Sequence, residues 1–155
     1  MEKAYLRACA SGKVSKINSL IKKVNPNCLD AHGRNALQLA CQEPKADTKR
    51  IIEFLVQGGV DVDHVAHNNS SVLTQVLHWD RFNLEITSYL FDNSKYGIDR
   101  QDPDGLSYLY SAKTVEAAKF LVDRGIDVNS VDKDGNTFLQ WSLPTDPIHM
   151  YIKSL

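Results

Sequence analysis

Apolar positions recur along this chain in two alternating rhythms. Ile51, Ile52, Leu55 and Val56 fall on one face at helical spacing, and so do Leu37, Ala40 and Cys41. Between such stretches stand short alternating runs, "VDVD" from Val60 and "IDVN" from Ile126, which predict extended backbone. Each run leads into a polar cluster rich in aspartate and glycine. Gly58-Gly59 stops the helix before it, because glycine accepts the left-handed conformation that closes a helix. "DAHG", "DPDG" and "DKDG" predict turns in which the aspartate bonds its own backbone and the glycine supplies a positive φ.

The pattern repeats. "DAHGRNALQLAC" from Asp30, "AHNNSSVLTQVL" from Ala66, "DPDGLSYLYSAK" from Asp102 and "DKDGNTFLQWSL" from Asp132 align without gaps. Their starts are 36, 36 and 30 residues apart by subtraction. The glycine place holds Gly33, Asn69, Gly105 and Gly135, and Leu37, Leu73, Leu109 and Leu139 follow four residues later. Asparagine is the side chain that best tolerates the left-handed region after glycine. A second helical element precedes the later blocks as "IIEFLVQGG", "ITSYLFDNSKYG" and "AAKFLVDRG", and "INSLIKKVNPN" plays that part near the N-terminus. A helix-helix-turn unit of this length cannot bury its apolar face alone, so neighbouring units are expected to stack on a shared core.

These residues carry a family likeness. The chain resembles ankyrin repeats, most clearly in "RGIDVNSVDKDGNTFL", and the resemblance runs over essentially the whole sequence. It implies an all-α solenoid of about five helix-turn-helix units with hairpin-like tips. The units run approximately 1–29, 30–65, 66–101, 102–131 and 132–155, in a single domain. Departures from the family pattern are as informative. Its threonine-proline pair is replaced by Asn35-Ala36, Ser71-Val72, Ser107-Tyr108 and Thr137-Phe138. "EPKADTK" intervenes between the two helices of the second unit. "SAKT" shortens the first helix of the fourth. Pro144 and Pro147 separate a short helix from a terminal one in the last.

Composition adds boundaries to this picture. The chain has 155 residues, 43% hydrophobic and 24% charged, the profile of a folded domain with a real core. The net charge of −1 gives no basic field for nucleic acid. Lys22-Lys23 and Lys49-Arg50, the basic pairs, fall on second helices as solvated faces. No apolar run resembles a secretory core of about 7–15 residues or a membrane span of about 18. Three cysteines without such a signal, Cys9, Cys28 and Cys41, predict reduced thiols and a cytoplasmic or nuclear protein. Cys9 and Cys41 occupy equivalent helix positions and are expected to pack, whereas Cys28, just before a turn, is the one expected to be more exposed. "DVDHVAH" is set aside as a metal site because alternate residues of an extended run face opposite ways. No hydrolase, zincin, Walker or dinucleotide motif is present, so neither an enzyme nor a cofactor is expected.

The resemblance implies a protein-binding surface made of the turn tips and the outer side of each first helix. By that likeness the tip residues include His32, Arg34, Asp104, Lys133 and Asn136. The first-helix positions include His78, Trp79, Tyr108, Tyr110 and Trp141. Tyr108, Tyr110 and Trp141 are expected to form an anchor patch with Trp79 at its margin, since tyrosine and tryptophan are enriched among interface hot spots. Packing between irregular repeats is the competing role for the same rings. Residues 1–77 carry 10 basic and 7 acidic side chains, +3, and residues 78–155 carry 8 and 12, −4. A basic or amphipathic segment of a partner would be steered to the later tips. The sequence therefore predicts a non-enzymatic protein-protein interaction module. The alternatives are the targeting domain of a larger enzyme, an occluding inhibitor of a signalling protein, or an effector acting in a host cytosol. Ile148, Tyr151, Ile152 and Leu155 leave the last segment apolar, which predicts a missing next repeat, a partner or a second copy against it.

Overall fold

A computed structural model describes every residue from Met1 to Leu155. The chain is helical, with no strands beyond isolated bridges. Nine α-helices follow in order: α1 Glu2–Ser11, α2 Val14–Leu20, α3 Ala36–Ala40, α4 Thr48–Gln57, α5 Val72–Leu77, α6 Leu84–Asp92, α7 Val115–Asp123, α8 Phe138–Trp141 and α9 Pro147–Lys153. Two 3-10 turns, Ile21–Lys23 and Tyr108–Ser111, complete the set. No helix is long and apolar enough to cross a membrane. The residues divide into two compact units, one of Met1–Val76 with Glu85–Lys95, the other of Leu77–Leu84 with Tyr96–Leu155.

One turn is built four times from the same local chemistry. The first residue donates its N–H to the carbonyl four residues on, from Asp30 to Arg34, Ala66 to Ser70, Asp102 to Leu106 and Asp132 to Asn136, at 2.9–3.0 Å. The residue at the glycine place returns a bond to the first carbonyl, and its φ is 73° at Gly33, 63° at Asn69, 79° at Gly105 and 82° at Gly135. The aspartates at 30, 102 and 132 each accept two further amide N–H groups on Oδ1, from the residues two and four places on, all at 2.9 Å. Ala66 has no such oxygen, and Asn68 Oδ1 takes the Ser70 N–H instead at 3.1 Å. A single antiparallel bridge closes three of the turns, Val65 to Ser71, Gln101 to Ser107 and Val131 to Thr137.

Directly after each turn the chain starts a helix, and the third residue in decides its quality. Asn35 and Gln38 cap each other reciprocally at 3.1 Å each way, Ser71 and Thr74 do so at 3.0 and 3.2 Å, and Thr137 and Gln140 at 2.9 and 3.4 Å. After Ser107 that place holds Tyr110, which has no group to reach back, and the Ser107 side chain caps nothing. The segment stays a four-residue 3-10 turn, the shortening expected for this unit.

The runs "VDVD" and "IDVN" are not extended along their length, contrary to the alternation. Val62-Asp63 turns, because Asp61 Oδ1 accepts the Asp63 N–H at 3.0 Å; Asp127 does the same with the Asn129 N–H at 2.9 Å. In the first unit Asn27 ties this turn to the preceding loop, accepting from Asp61 N at 2.8 Å and donating to Gly59 O at 2.9 Å. In the second, Asp99 accepts from Asp127 N at 2.8 Å.

The core of the first unit joins α1 to α2 and α3, and α3 to α4. Tyr5, Ile17, Leu37, Ile52 and Leu55 are fully buried there. Cys9 and Cys41 are buried with them. Cys28 is buried as well, and at 8% exposure it is the least covered of the three, in the expected order. In the second unit α9 packs on α7 and α8, with Leu109, Leu121 and Ile148 inside. Asp146 starts α9 by accepting the Ile148 N–H at 2.8 Å, with Pro147 at the first helical position. Ser142 Oγ and His149 Nδ1, 2.7 Å apart, tie α8 to it.

Candidate functional site

The aromatic residues singled out in the sequence all lie in the second unit, and burial separates them. Tyr108 is 6% exposed and Trp79 is 9% exposed, so both rings are spent on packing and offer a partner little area. Phe138 is buried too. Trp141 is 67% exposed. It is nevertheless held: the Tyr110 ring meets it edge-on, with centroids 5.7 Å apart at 68°, and Tyr110 meets Phe138 at 5.4 Å and 82°. Edge-to-face contacts at these separations are favourable by about 0.5–1.5 kcal/mol beyond burial. Trp141 is therefore a large apolar surface fixed in place and left in solvent.

Tyr110 is half-buried, and its hydroxyl is inside with no hydrogen-bond partner. Burial pushes its pKa up, and the negative charge of Asp132 pushes it further.

His78 is exposed at the end of α5, its Nδ1 3.4 Å from the Ser111 carbonyl. Two residues on, Asp80 pairs with Lys113 at 2.7 Å, and the ammonium holds the carboxyl below its usual range. On the tips of this unit Asp104 and Lys133 are exposed and paired with each other at 2.7 Å. The carboxylate raises the Lys133 pKa. Lys133 N also donates to Asp104 O at 3.0 Å, so the two turns are bonded backbone to backbone. Asn136 is half-buried.

His32 and Arg34 belong to the first unit. His32 is exposed, and its carbonyl accepts the His67 N–H at 3.2 Å. Arg34 is half-buried and folds back on Asp30, with Nε and Nη2 at 2.8 and 2.7 Å from Oδ2. His64 Nε2 lies 2.6 Å from the Gly33 carbonyl. Nowhere do three or more His, Cys, Asp or Glu side chains converge as a metal ion would need.

Three further apolar side chains near the end of the chain stand in solvent: Leu143, Met150 and Leu155. Leu143 was not singled out in the sequence, although its place between Trp141 and Pro144, outside any helical period, is the signal that identifies it. Compared with known proteins, the chain matches no family model and no curated protein.

Proposed function

We propose that the chain is a divergent ankyrin-type repeat domain that binds a partner protein without catalysis, and that Trp141, positioned by Tyr110, is the anchor. The observation that carries this reading is the exposure of Trp141 in a fixed aromatic contact. A folded chain gains little beyond one edge-to-face contact from a tryptophan left 67% in water, whereas an interface gains its most effective residue type. The repeat assignment draws on the fourfold turn and on the helix that follows each copy. Rigid turns and short capped helices need little ordering on binding, which favours affinity. A cytoplasmic or nuclear setting accords with three thiols held reduced in the interior.

Trp141→Ala tests the proposal. Recovery of a partner from lysate on the immobilised chain should fall at least tenfold, while the melting temperature falls by no more than about 6 °C, the loss of one edge-to-face contact. A variant that melts much earlier, or one that recovers the same partner equally well, overturns the assignment of Trp141 as anchor.

A further inference from the structure

The net charge of −1 conceals a sharp separation. Residues 1–29 carry Lys3, Arg7, Lys13, Lys16, Lys22 and Lys23 against one acid, Glu2, which is +5; the rest of the chain carries 12 basic and 18 acidic side chains, −6. All six cations are exposed. None of their side chains makes an ion pair or a hydrogen bond, and the ion pairs of the chain all lie beyond residue 29. Lys3 and Arg7 stand one turn apart on α1, and Lys13 and Lys16 mark the start of α2. Lys3, Lys22 and Lys23 come together around one open concavity, with Asn25 beside them and Glu2 as its sole carboxylate.

Elsewhere the chain neutralises such side chains with carboxylates from about a repeat away. Lys49 takes Glu85, 36 positions on, while Lys113 takes Asp80 and Lys133 takes Asp104 at 2.7 Å each. The first helix pair has six cations and no such carboxylate. We propose that this face docks an acidic segment of a partner protein, whose Asp and Glu side chains take Lys3, Lys22 and Lys23 as Glu85, Asp80 and Asp104 take theirs. The make-up of the face decides between anions. Its one aromatic ring, Tyr5, is fully buried, so there is no platform on which bases could stack. Tyr5, Leu6, Ala8 and Cys9 form the apolar side of α1 and are buried where it packs on α2 and α3, so α1 has no apolar face left to enter a bilayer. Five of the six cations are lysines, point charges that suit scattered carboxylates and lack the fork that arginine offers to phosphate. A single exposed ion pair contributes little, so the face acts through several pairs at once and through steering of the acidic segment.

The inference does not depend on Trp141, which belongs to the other unit. A phage-displayed library of short random peptides is selected on the full chain, with binders to a Lys3→Glu, Lys22→Glu, Lys23→Glu variant removed. Selected peptides are measured by isothermal titration against the parent, that variant, and a control of the same net charge, Lys95→Glu, Lys119→Glu, Lys153→Glu. All six lysines are exposed and their ammonium groups are unbonded, so circular dichroism of both variants should match the parent. Glutamine at positions 3, 22 and 23 replaces glutamate if it does not. The expected result is enrichment of Asp and Glu, at least about tenfold weaker binding to the first variant and at most about twofold to the control. Binding to the parent should also weaken at least about tenfold between about 50 and 300 mM salt. Peptides without acidic enrichment, a loss shared equally by the control, or a selection that yields nothing overturns the site. Tighter binding of a single-stranded oligonucleotide or of phosphatidylserine vesicles than of the best acidic peptide, with the same dependence on Lys3, Lys22 and Lys23, overturns the choice of a protein segment. A parent that dimerises at low salt through these lysines assigns the face to a second copy instead.

Discussion

Gly105→Ala is the sharpest probe of how the turns are held together, because the structure supplies its own control. Gly105 and Gly135 hold the same place in successive turns, with φ of 79° and 82°. An alanine there costs about 1–2 kcal/mol for the left-handed backbone alone, equally at both sites. The surroundings differ. A Cβ on Gly135 meets nothing within 4 Å, whereas one on Gly105 would stand 2.7 Å from Lys133 N and 2.9 Å from Asp132 Cα and its carbonyl carbon. Those atoms are backbone and cannot rotate aside. Making room stretches the 3.0 Å bond from Lys133 N to Asp104 O, a net loss of about 1 kcal/mol, and adds the strain of overpacking. Gly135→Ala should therefore lose about 1–2 kcal/mol and Gly105→Ala about 2–4 kcal/mol. Urea unfolding followed by far-ultraviolet circular dichroism measures both, with the slope unchanged so that the midpoints compare directly. Equal losses in the two variants would refute the argument that stacked turn backbones, and not only turn conformation, require a glycine at 105.

Thr137→Ala removes one half of the box that starts α8 and should cost about 1 kcal/mol, read as a lower urea midpoint; no change would mean that α8 does not depend on its cap. At Asp30 burial acts to raise the carboxyl pKa, and hydrogen bonds and charge from Arg34 outweigh it and hold it below its ordinary value. Its contribution is then fully present above the ordinary value of about 4 and is lost as pH falls through that value toward the lower folded one. The stability gap between the parent and Asp30→Asn should be about 0.2–1 kcal/mol at neutral pH and shrink between about pH 5 and pH 2; a gap that does not vary with pH would refute the ion pair. Burial pushes Cys9 up to about 12 and raises Cys28 and Cys41 as well, so a thiol reagent at about pH 8 should label none of the three rapidly in the folded chain and all of them in urea. Rapid labelling of Cys28 without denaturant would contradict its burial.

What the sequence alone determined is what short-range chemistry decides. The turns at 30, 66, 102 and 132 were legible because an aspartate or asparagine side-chain oxygen, a left-handed residue and the intervening amides lie within five positions, and their bonds form from that segment alone. The helix starts were legible for the same reason, and so was the shortened segment at Tyr108. The "VDVD" run misled because alternation cannot distinguish an extended run from a turn closed by Asp61, and the choice is anchored by Asn27, 34 residues away. Burial was legible for the apolar helix faces, such as Leu37, Ile52 and Leu55, but not for the aromatic rings. Trp79, Tyr108 and Trp141 are alike as large rings at first-helix positions, yet two are inside and one is in solvent. What covers a side chain, or brings Trp141 against Tyr110, comes from segments roughly a repeat away, and repeats of 36, 36 and 30 residues do not place their neighbours in identical register. Only the tertiary structure, by fixing that register, decided which ring was left in solvent.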